Sequence, residues 1–250
     1  MTVNEQAITA LLGARRTNRP VPAPPVATEE DAYAIQEAVG RALGWFDGVP
    51  VHWKSGGASR DAGLAHAPLP AAGVWTSPAD VGGWPVRLRG IEAEVALRLR
   101  AGVDAERAAT LDLDGARRCV DAMCVSIEIV ESRLQEGLEA PPLSRLADLG
   151  SHGALVLGAW VAWEPQRDWG AQRLQVEIDG QPVARFTGTH ALADPAYVLP
   201  GWLRHATRDG ATVPAGTVVT TGSWCGVLVA QAGNRVVAAF DGIGRAEVRF

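Results

Sequence analysis

Cysteine is scarce in this chain of 250 residues, which contains only Cys119, Cys124 and Cys225. Their number is odd and no two have the C-x-x-C spacing, so the sequence predicts neither a disulfide framework nor a zinc knuckle. No stretch approaches the roughly 18 uninterrupted apolar residues of a membrane span. The polar start of the chain also lacks the basic and apolar segments of a signal peptide. We therefore expect a protein of the reducing cytoplasm.

Clusters of positive charge are also missing. The formal net charge is -5, and no basic run is longer than Arg15-Arg16 or Arg117-Arg118. This pattern argues against a nucleic-acid partner but is compatible with a small anionic ligand, because local fields matter more than net charge for small ions. The sequence has no G-x-G-x-x-G after a predicted strand and no G-x-S-x-G elbow, which disfavours a dinucleotide site and a serine hydrolase.

Two acids stand out in the segment Ile91 to Leu99. Apolar residues occupy its odd positions, whereas Glu92 and Glu94 share the even face, which is the pattern of a half-buried strand. The alternation reverses at Gly90, where we expect a bulge or bend. Carboxylates one residue apart on a strand face can share a hard cation, and oxygen ligands favour magnesium, manganese or calcium over zinc. The alternative is a pair of solvated acids on the wet face of an antiparallel sheet.

A third acid, Glu128, lies inside the apolar run Cys124 to Val130. Burying a carboxylate there is costly unless it is paired or bound to metal, so Glu128 is the candidate third ligand. The alternative is an acid that faces water on an edge strand. Asp114 is expected to cap a helix through Cys119 and Met123 that leads into this strand.

Lys54 is a further candidate site residue, because it ends a short predicted strand and precedes the glycine turn Ser55-Gly56-Gly57. Ser151 lies in the glycine-bounded loop Asp148 to Gly153, directly before an apolar run. Both residue types are commonly solvated surface groups, so neither pattern alone identifies a site.

Helical spacing predicts two helices before residue 44, and turn signals predict a strand-rich second half with a hairpin at Asp179-Gly180. The class is therefore mixed α and β. We expect an N-terminal α/β cap region over residues 1-80 and a catalytic domain over residues 81-250, together forming one compact unit.

The order of these motifs resembles the 2-keto-4-pentenoate hydratase group of the fumarylacetoacetate hydrolase superfamily. The shared motifs are a lysine before a glycine turn, E-x-E, I-E-I-V-E-S-R, D-x-x-S-x-G, and a late T-G-S followed by G-I-G, and they extend over about Ala32 to Phe250. The resemblance implies an α+β fold of the mixed β-roll type with a small N-terminal helical region. It also implies Mg²⁺ or Mn²⁺ and a small 2-oxo or 2-hydroxydienoate acid as substrate.

Transferred by position, the resemblance makes Glu92, Glu94 and Glu128 the metal ligands. It makes Lys54 and Ser151 catalytic and assigns substrate binding to the turn Thr221, Gly222 and Ser223. One departure is Pro70-Ala71-Ala72-Gly73, where the family usually has Pro-Asp-Tyr-Gly, so an acid associated with proton transfer is missing.

The expected activity is a hydratase that adds water to a 2-hydroxy-2,4-dienoate and gives a 4-hydroxy-2-oxo acid. Three alternatives stay open: a 4-oxalocrotonate-type decarboxylase, an acylpyruvate hydrolase with His66 or His190 as base, and a non-catalytic member that serves as a structural partner.

Desolvation and a nearby cation should lower the basicity of Lys54. A β-roll rich in Trp and Val should bury apolar surface in a homo-oligomer.

Overall fold

The computed structural model describes all 250 residues. It contains six α-helices, which are α1 (Val3–Thr17), α2 (Glu29–Ala42), α3 (Ala105–Thr110), α4 (Leu113–Arg117), α5 (Pro142–Ala147) and α6 (Leu199–Ala206). Short 3₁₀ turns lie at Ala71–Gly73, Gly137–Glu139, Trp169–Ala171 and Pro195–Val198.

The first six strands are β1 (His52–Gly56), β2 (Ala65–Pro68), β3 (Val74–Thr76), β4 (Ala79–Asp80), β5 (Gly90–Leu99) and β6 (Val120–Val130). Eight further strands follow: β7 (His152–Leu157), β8 (Val161–Ala162), β9 (Arg173–Ile178), β10 (Gln181–Thr187), β11 (Val218–Thr220), β12 (Leu228–Val229), β13 (Arg235–Phe240) and β14 (Gly244–Arg249).

The strands form two sheets that share one core. Nine strands make the larger sheet, whose main path runs β2-β1-β11-β5-β6-β7-β3, with β12 on β5 and β8 on β6. The smaller sheet has the order β10-β9-β13-β14-β4. Apolar side chains of β5 and β6 pack against those of β13 and β14, and the core continues to α6. The expected α+β fold of mixed β-roll type is confirmed.

Capping signals in the sequence account for the two N-terminal helices. Thr2 and Glu5 form a reciprocal capping box at α1, and the Thr28 hydroxyl accepts the Asp31 amide at the start of α2. Gly44 follows α2 in the left-handed conformation that glycine adopts without strain. Helical spacing predicts the apolar faces that contain Leu11 and Ile35. These faces pack with α5 in a small separate core, whereas the sequence predicts that α2 packs against the sheet.

The long antiparallel pair β5 and β6 carries the candidate acids, and two local predictions around it need correction. The sequence predicts a bulge or a bend at Gly90, and the bend is confirmed whereas a bulge there is wrong. Gly90 is the first residue of β5, and Arg89 directly before it turns the chain with a φ of 50°. The bulge lies instead between Arg98 and Leu99.

The helix expected from Asp114 through Met123 is also wrong. Asp112 caps α4, which ends at Arg117, and β6 begins at Val120. Pairing with β5 fixes Met123 and its neighbours as strand, so the tertiary ladder overrides the local helical spacing.

The second half of the chain is rich in strands, as predicted. Asp179 and Gly180 both have positive φ at the β9-β10 turn, which is the two-residue hairpin geometry that their sequence favours. The domain boundary at residue 80 stays an expectation; β1, β2 and β3 precede it and belong to the larger sheet. None of the helices has the length and hydropathy needed to cross a membrane.

A group of rings joins α2, α6 and the first two strands: Trp53, His66 and Trp202 are buried, and Tyr33 and His205 are half-buried. The Ser55 hydroxyl lies 2.9 Å from His66 Nδ1. Burial, with a smaller contribution from the charge of His205, lowers the pKa of His66 to about 3. Burial also lowers the pKa of His205 to about 4, with Asp209 opposing. The folded protein therefore holds both imidazoles neutral.

Because of this group of rings, the free energy of unfolding should decrease as the pH falls. Because the pKa of His66 is below its unfolded value near 6.5, the unfolded chain binds the extra proton, and stability is lost as pH falls from 6.5 toward 3. The contribution of His66 is about 1.4 kcal/mol for each pH unit in that window. Urea unfolding at pH 5.5 and 4.5 should show the wild type losing about 1.4 kcal/mol more stability than His66→Gln. Equal slopes for the two proteins would contradict the assignment.

Candidate metal centre

Strand register places three acids on one face of the larger sheet. Glu92 lies directly opposite Glu128 in the β5-β6 ladder, and directly paired residues point to the same side. Glu94 is two residues from Glu92 and shares that side. One carboxylate oxygen from each residue lies within 4.8 Å of those of the other two. Glu94 and Glu128 are buried and Glu92 is half-buried.

Curvature of the same sheet brings in Lys54 from a distant strand. Lys54 pairs with Thr220 on β11, and Thr220 pairs with Ala96 on β5, so its side chain lies on the face of the acids. Three strand steps separate β1 from β6, which would be about 14 Å in a flat sheet. Lys54 Nζ nevertheless lies 2.5 Å from Glu128 Oε1. The sheet must therefore curl around the acids.

Each buried carboxylate is held by fixed donors. Glu128 Oε1 accepts hydrogen bonds from Lys54 Nζ and from His152 Nδ1, at 2.5 and 3.0 Å. Glu94 Oε2 accepts from the Thr220 hydroxyl and, at 3.0 Å, from the Gly222 amide. Lys54 Nζ also donates to the Gly150 carbonyl at 3.1 Å. These contacts fix the carboxylate positions before any ligand arrives.

The acids affect one another's ionisation strongly. Burial, followed by the charges of Glu128 and Glu92, raises the pKa of Glu94 to about 8. Burial and Glu128 also raise the pKa of Glu92. Burial alone would raise the pKa of Glu128, but Lys54 and the hydrogen bond from His152 hold it below its usual value. Two of the three carboxylates thus have too little positive charge around them.

The pKa of Lys54 is raised in the protein without a cation. The lowered basicity predicted from the sequence applies to an amine beside a bound cation and stays a prediction. Burial does lower the pKa of this amine, but the charges of Glu128, Glu92 and Glu94 outweigh that effect.

The donor set fits a hard divalent cation. Glu128 Oε2 is buried and has no hydrogen-bond partner, which is costly for a carboxylate oxygen in a folded protein. A cation beside it would satisfy this oxygen and offset the repulsion that raises the pKa of Glu94. Three carboxylates without a thiolate or imidazole ligand match Mg²⁺ or Mn²⁺ better than Zn²⁺.

A cavity of about 630 Å³ opens beside the acids. Lys54, Glu92, Glu94, Gly222 and Ser223 line it, so the structure brings these predicted site residues to one wall. Phe186 and Trp224 add apolar surface.

Three other predicted residues are not on this cavity wall, and one of them is Glu128, which lies buried behind it. The Thr221 hydroxyl is buried and donates to the Val95 carbonyl at 2.7 Å. Ser151 Oγ is buried and has no hydrogen-bond partner. Its neighbour Gly150 is the residue of this loop that lines the cavity.

Sequence reasoning missed His152 and Thr220, which hold Glu128 and Glu94. His152 directly follows Ser151, and Thr220 directly precedes the T-G-S turn, so both were beside motifs already recognised. A composition signal for Lys54 was also available, because it is the only lysine among 23 basic residues. A chain that uses arginine everywhere else has a lysine only at the acid cluster.

The two histidines considered as hydrolytic bases lie elsewhere. His66 belongs to the ring group beside Ser55, and His190 Nε2 lies 2.9 Å from the Thr221 carbonyl. Neither lines the cavity of the acids. Neither histidine named for the hydrolase alternative therefore lies on the cavity wall.

The fold and the acid cluster define a β-roll protein with a candidate carboxylate metal centre. The family model described as the fumarylacetoacetate (FAA) hydrolase C-terminal matches residues 53–250. The chain therefore belongs to the fumarylacetoacetate hydrolase family.

Curated relatives share this family but are distant. The chain is 27% identical over 244 residues to 2-keto-4-pentenoate hydratase 1 of Dechloromonas aromatica, covering 90% of this chain and 87% of that one. It is 28% identical over 160 residues to 2-keto-4-pentenoate hydratase of Paraburkholderia phymatum, an alignment that spans 64% of this chain and 60% of the relative.

Solved structures show the same fold at low identity. 4-Oxalocrotonate decarboxylase from Pseudomonas putida G7, complexed with magnesium and adipate, superposes with a TM-score of 0.84 at 19% identity. That match covers 100% of this chain and 99% of the other. Fumarylpyruvate hydrolase from Pseudomonas aeruginosa, in complex with Mn²⁺ and pyruvate, gives a TM-score of 0.54 at 17% identity over 79% of this chain and 88% of the other.

Metal binding should release a proton near neutral pH. The raised pKa of Glu94, about 8, keeps its carboxyl largely protonated at pH 7, and a cation requires the ionised form. We expect Mn²⁺ affinity to rise about tenfold per pH unit up to roughly pH 8. Calorimetry in two buffers of different ionisation enthalpy should report about one proton released per ion at pH 7.

Two variants serve as the comparison. Glu128→Gln should weaken Mn²⁺ binding by at least tenfold, whereas Glu106→Gln, which alters an exposed acid on α3, should leave it unchanged. A pH-independent affinity, or equal loss in both variants, would show that the cluster does not bind the ion.

Proposed function

We propose that this protein is a divalent-metal-dependent hydro-lyase. Its substrate is a 2-hydroxy-2,4-dienoate of the 2-keto-4-pentenoate type, and its product is a 4-hydroxy-2-oxo acid. The observation that carries the proposal is the cluster of three carboxylates with the only lysine of the chain, of which Lys54, Glu92 and Glu94 line one cavity. Curated relatives named as hydratases support the choice of reaction.

Glu92, Glu94 and Glu128 are the proposed ligands of Mg²⁺ or Mn²⁺. The ion, when bound, supplies a Lewis acid for the carboxylate and 2-oxygen of the substrate. Thr220 and the Gly222 amide position Glu94, while Lys54 and His152 position Glu128 through one oxygen and leave its other oxygen for the ion.

The protein's own proton chemistry centres on Lys54. An ammonium group has three N–H donors, and two are used by Glu128 and the Gly150 carbonyl. The third is available to stabilise negative charge on the substrate or to donate a proton. Hydration adds one water molecule: hydroxyl bonds to C4, hydrogens end on C3 and C5, and the 2-hydroxyl becomes a 2-oxo group.

The charge of the cavity favours hydration over decarboxylation. Lys54 is the only basic residue on the wall, and it is already engaged by Glu128. A second carboxylate at the far end of a substrate would meet no cation, and an unpaired charge in a partly apolar cavity is costly. A monocarboxylate dienoate suits this cavity better than the dicarboxylate 4-oxalocrotonate.

The remaining predicted residues have proposed supporting roles. Gly222 and Ser223 bind substrate at the cavity wall, with Thr221 fixing the turn through its bond to Val95. Ser151 is next to Gly150 and supports the loop whose carbonyl accepts from Lys54. Its hydroxyl would contact the substrate if this loop shifts when the substrate binds. Phe186 and Trp224 limit water around the diene.

The location and assembly expected from the sequence belong to the same proposal. All three cysteines are free thiols, which is consistent with a reducing cytoplasm. Val183 is 50% exposed and Val229 is 61% exposed, and a contact between identical subunits would remove such apolar side chains from water.

Replacement of Lys54 tests the catalytic assignment. Lys54→Met should lower kcat for 2-hydroxypenta-2,4-dienoate by at least a thousandfold, because the donor closest to the acids is lost. Mn²⁺ binding should persist, since the three carboxylates remain. The assay is the loss of dienoate absorbance, together with calorimetric titration of Mn²⁺.

Arg204→Met, an exposed basic residue on α6, is the matched control and should keep wild-type turnover. Wild-type rates in Lys54→Met would make Lys54 a bystander. A wild type that binds Mn²⁺ but turns over no 2-oxo acid would support the non-catalytic alternative.

Substrate choice provides a separate test. Because the cavity offers no second cation, kcat/KM for 2-hydroxypenta-2,4-dienoate should exceed that for 4-oxalocrotonate by at least a hundredfold. Product analysis by NMR distinguishes water addition from release of CO₂. Faster turnover of the dicarboxylate would assign the protein to the decarboxylases instead.

A further inference from the structure

A second cavity, of about 600 Å³, lies between the end of α1, the segment after α2 and the loops around β6 and β7. Five arginines line it: Arg15, Arg19, Arg87, Arg89 and Arg133. We call it the arginine cavity. This is an unusual concentration of positive charge in a chain whose formal net charge is -5.

The positive charge of the arginine cavity is not balanced by protein acids. Glu131 is the only acid on its wall, and Asp148, behind the wall, pairs with Arg15 and Arg133. Five guanidinium groups therefore face two carboxylates. Arg19 and Arg89 make no side-chain hydrogen bond or ion pair within the protein, which leaves their donors available to a ligand.

Arg15 is the arginine that is most affected by burial and by the neighbouring positive charge. Its Nε is buried without a hydrogen-bond partner, although its terminal nitrogen donates to Asp148 at 2.8 Å. Its guanidinium lies over the Trp45 ring, 4.7 Å from the centroid. Burial and the neighbouring charge of Arg133 lower the pKa of Arg15 to about 9. A bound anion would relieve both effects.

The remaining walls are apolar and include two indoles. Leu43, Trp45, Trp84, Val86 and Leu149 line the cavity between the arginines. A volume of about 600 Å³ exceeds what an inorganic anion fills and suits an organic molecule, for which mostly apolar walls with a few fixed polar groups are typical. Flat guanidinium and indole surfaces favour a flat ligand body.

A thin loop separates the arginine cavity from the cavity of the acids. Leu149, His152 and Gly153 face the arginine cavity, whereas Gly150 faces the acids, and the two cavities share no lining residue. Leu149, Gly150 and Ser151 are three consecutive residues with positive φ, so the wall is a tightly turned segment. A ligand in the arginine cavity would not contact the proposed metal ligands.

We propose that the arginine cavity binds an aromatic carboxylate. The carboxylate is held by Arg19 and Arg89, whose donors are free, with Arg15 beside it, and the ring lies among Trp45, Trp84 and Leu149. Arginine matches the two oxygens of a carboxylate with paired donors. The proposal does not rest on the proposed hydratase reaction, although His152 lines this cavity and also contacts Glu128.

The test is calorimetric titration of the full-length protein with 2-naphthoate, and with inorganic phosphate as a second probe. We expect saturable 1:1 binding of naphthoate and at least tenfold weaker binding in the double variant Arg19→Gln/Arg89→Gln. Both side chains have no intramolecular partner, so this variant should fold. Arg16→Gln, an exposed neighbour on α1 that does not line the cavity, is the matched control and should bind as the wild type does.

A further variant tests which of the two cavities binds the probe. Glu92→Gln alters the cavity of the acids and should leave naphthoate affinity unchanged. Loss of binding in Glu92→Gln, or full affinity in Arg19→Gln/Arg89→Gln, would place the probe elsewhere and overturn the proposal. Absence of naphthoate binding would overturn it too, and binding of phosphate alone would show that the apolar walls do not select the ligand.

Discussion

Repulsion among three carboxylates in the protein interior is the constraint on which the rest of the structure depends. Charges this close in a medium of reduced dielectric cannot all remain ionised without compensation. The chain provides one fixed cation, Lys54, and fixes it on Glu128 alone. Glu92 and Glu94 are left with raised pKa values, which is the electrostatic signature of a site that still lacks positive charge.

The fold can be understood as the scaffold that holds this arrangement. Antiparallel register aligns Glu92 with Glu128, and the curl of the sheet brings Lys54 across three strands. The tight loop from Leu149 to Ser151 then provides the Gly150 carbonyl that fixes the amine. Packing of the smaller sheet behind β5 and β6 keeps the curled sheet rigid, and rigid elements position functional groups more precisely than loops do.

Membership in the fumarylacetoacetate hydrolase family agrees with this view, because the matched region begins at residue 53 and so includes Lys54 and all three acids. Ala71, where the resemblance leads one to expect an acid, lies in an exposed 3₁₀ turn. Its neighbours Pro70 and Ala72 line the arginine cavity and leave the acid cluster untouched.

The sequence by itself determined the class of fold, the first two helices, the Asp179-Gly180 hairpin and the choice of Glu92, Glu94, Glu128 and Lys54 as candidates. Most of these follow from local signals: alternation, capping residues, turn chemistry and an acid within an apolar run. The choice of Lys54 depended in addition on the order of motifs that resembles the family. Local signals failed where the ladder decided the outcome, as at Met123. Tertiary structure alone decided that His152 and Thr220 hold the acids, that Thr221 faces the backbone, and that five arginines surround one cavity. The reason is physical: hydrogen bonds and charge interactions form between residues distant in sequence, and their distances depend on how the sheet curls, which no local pattern records.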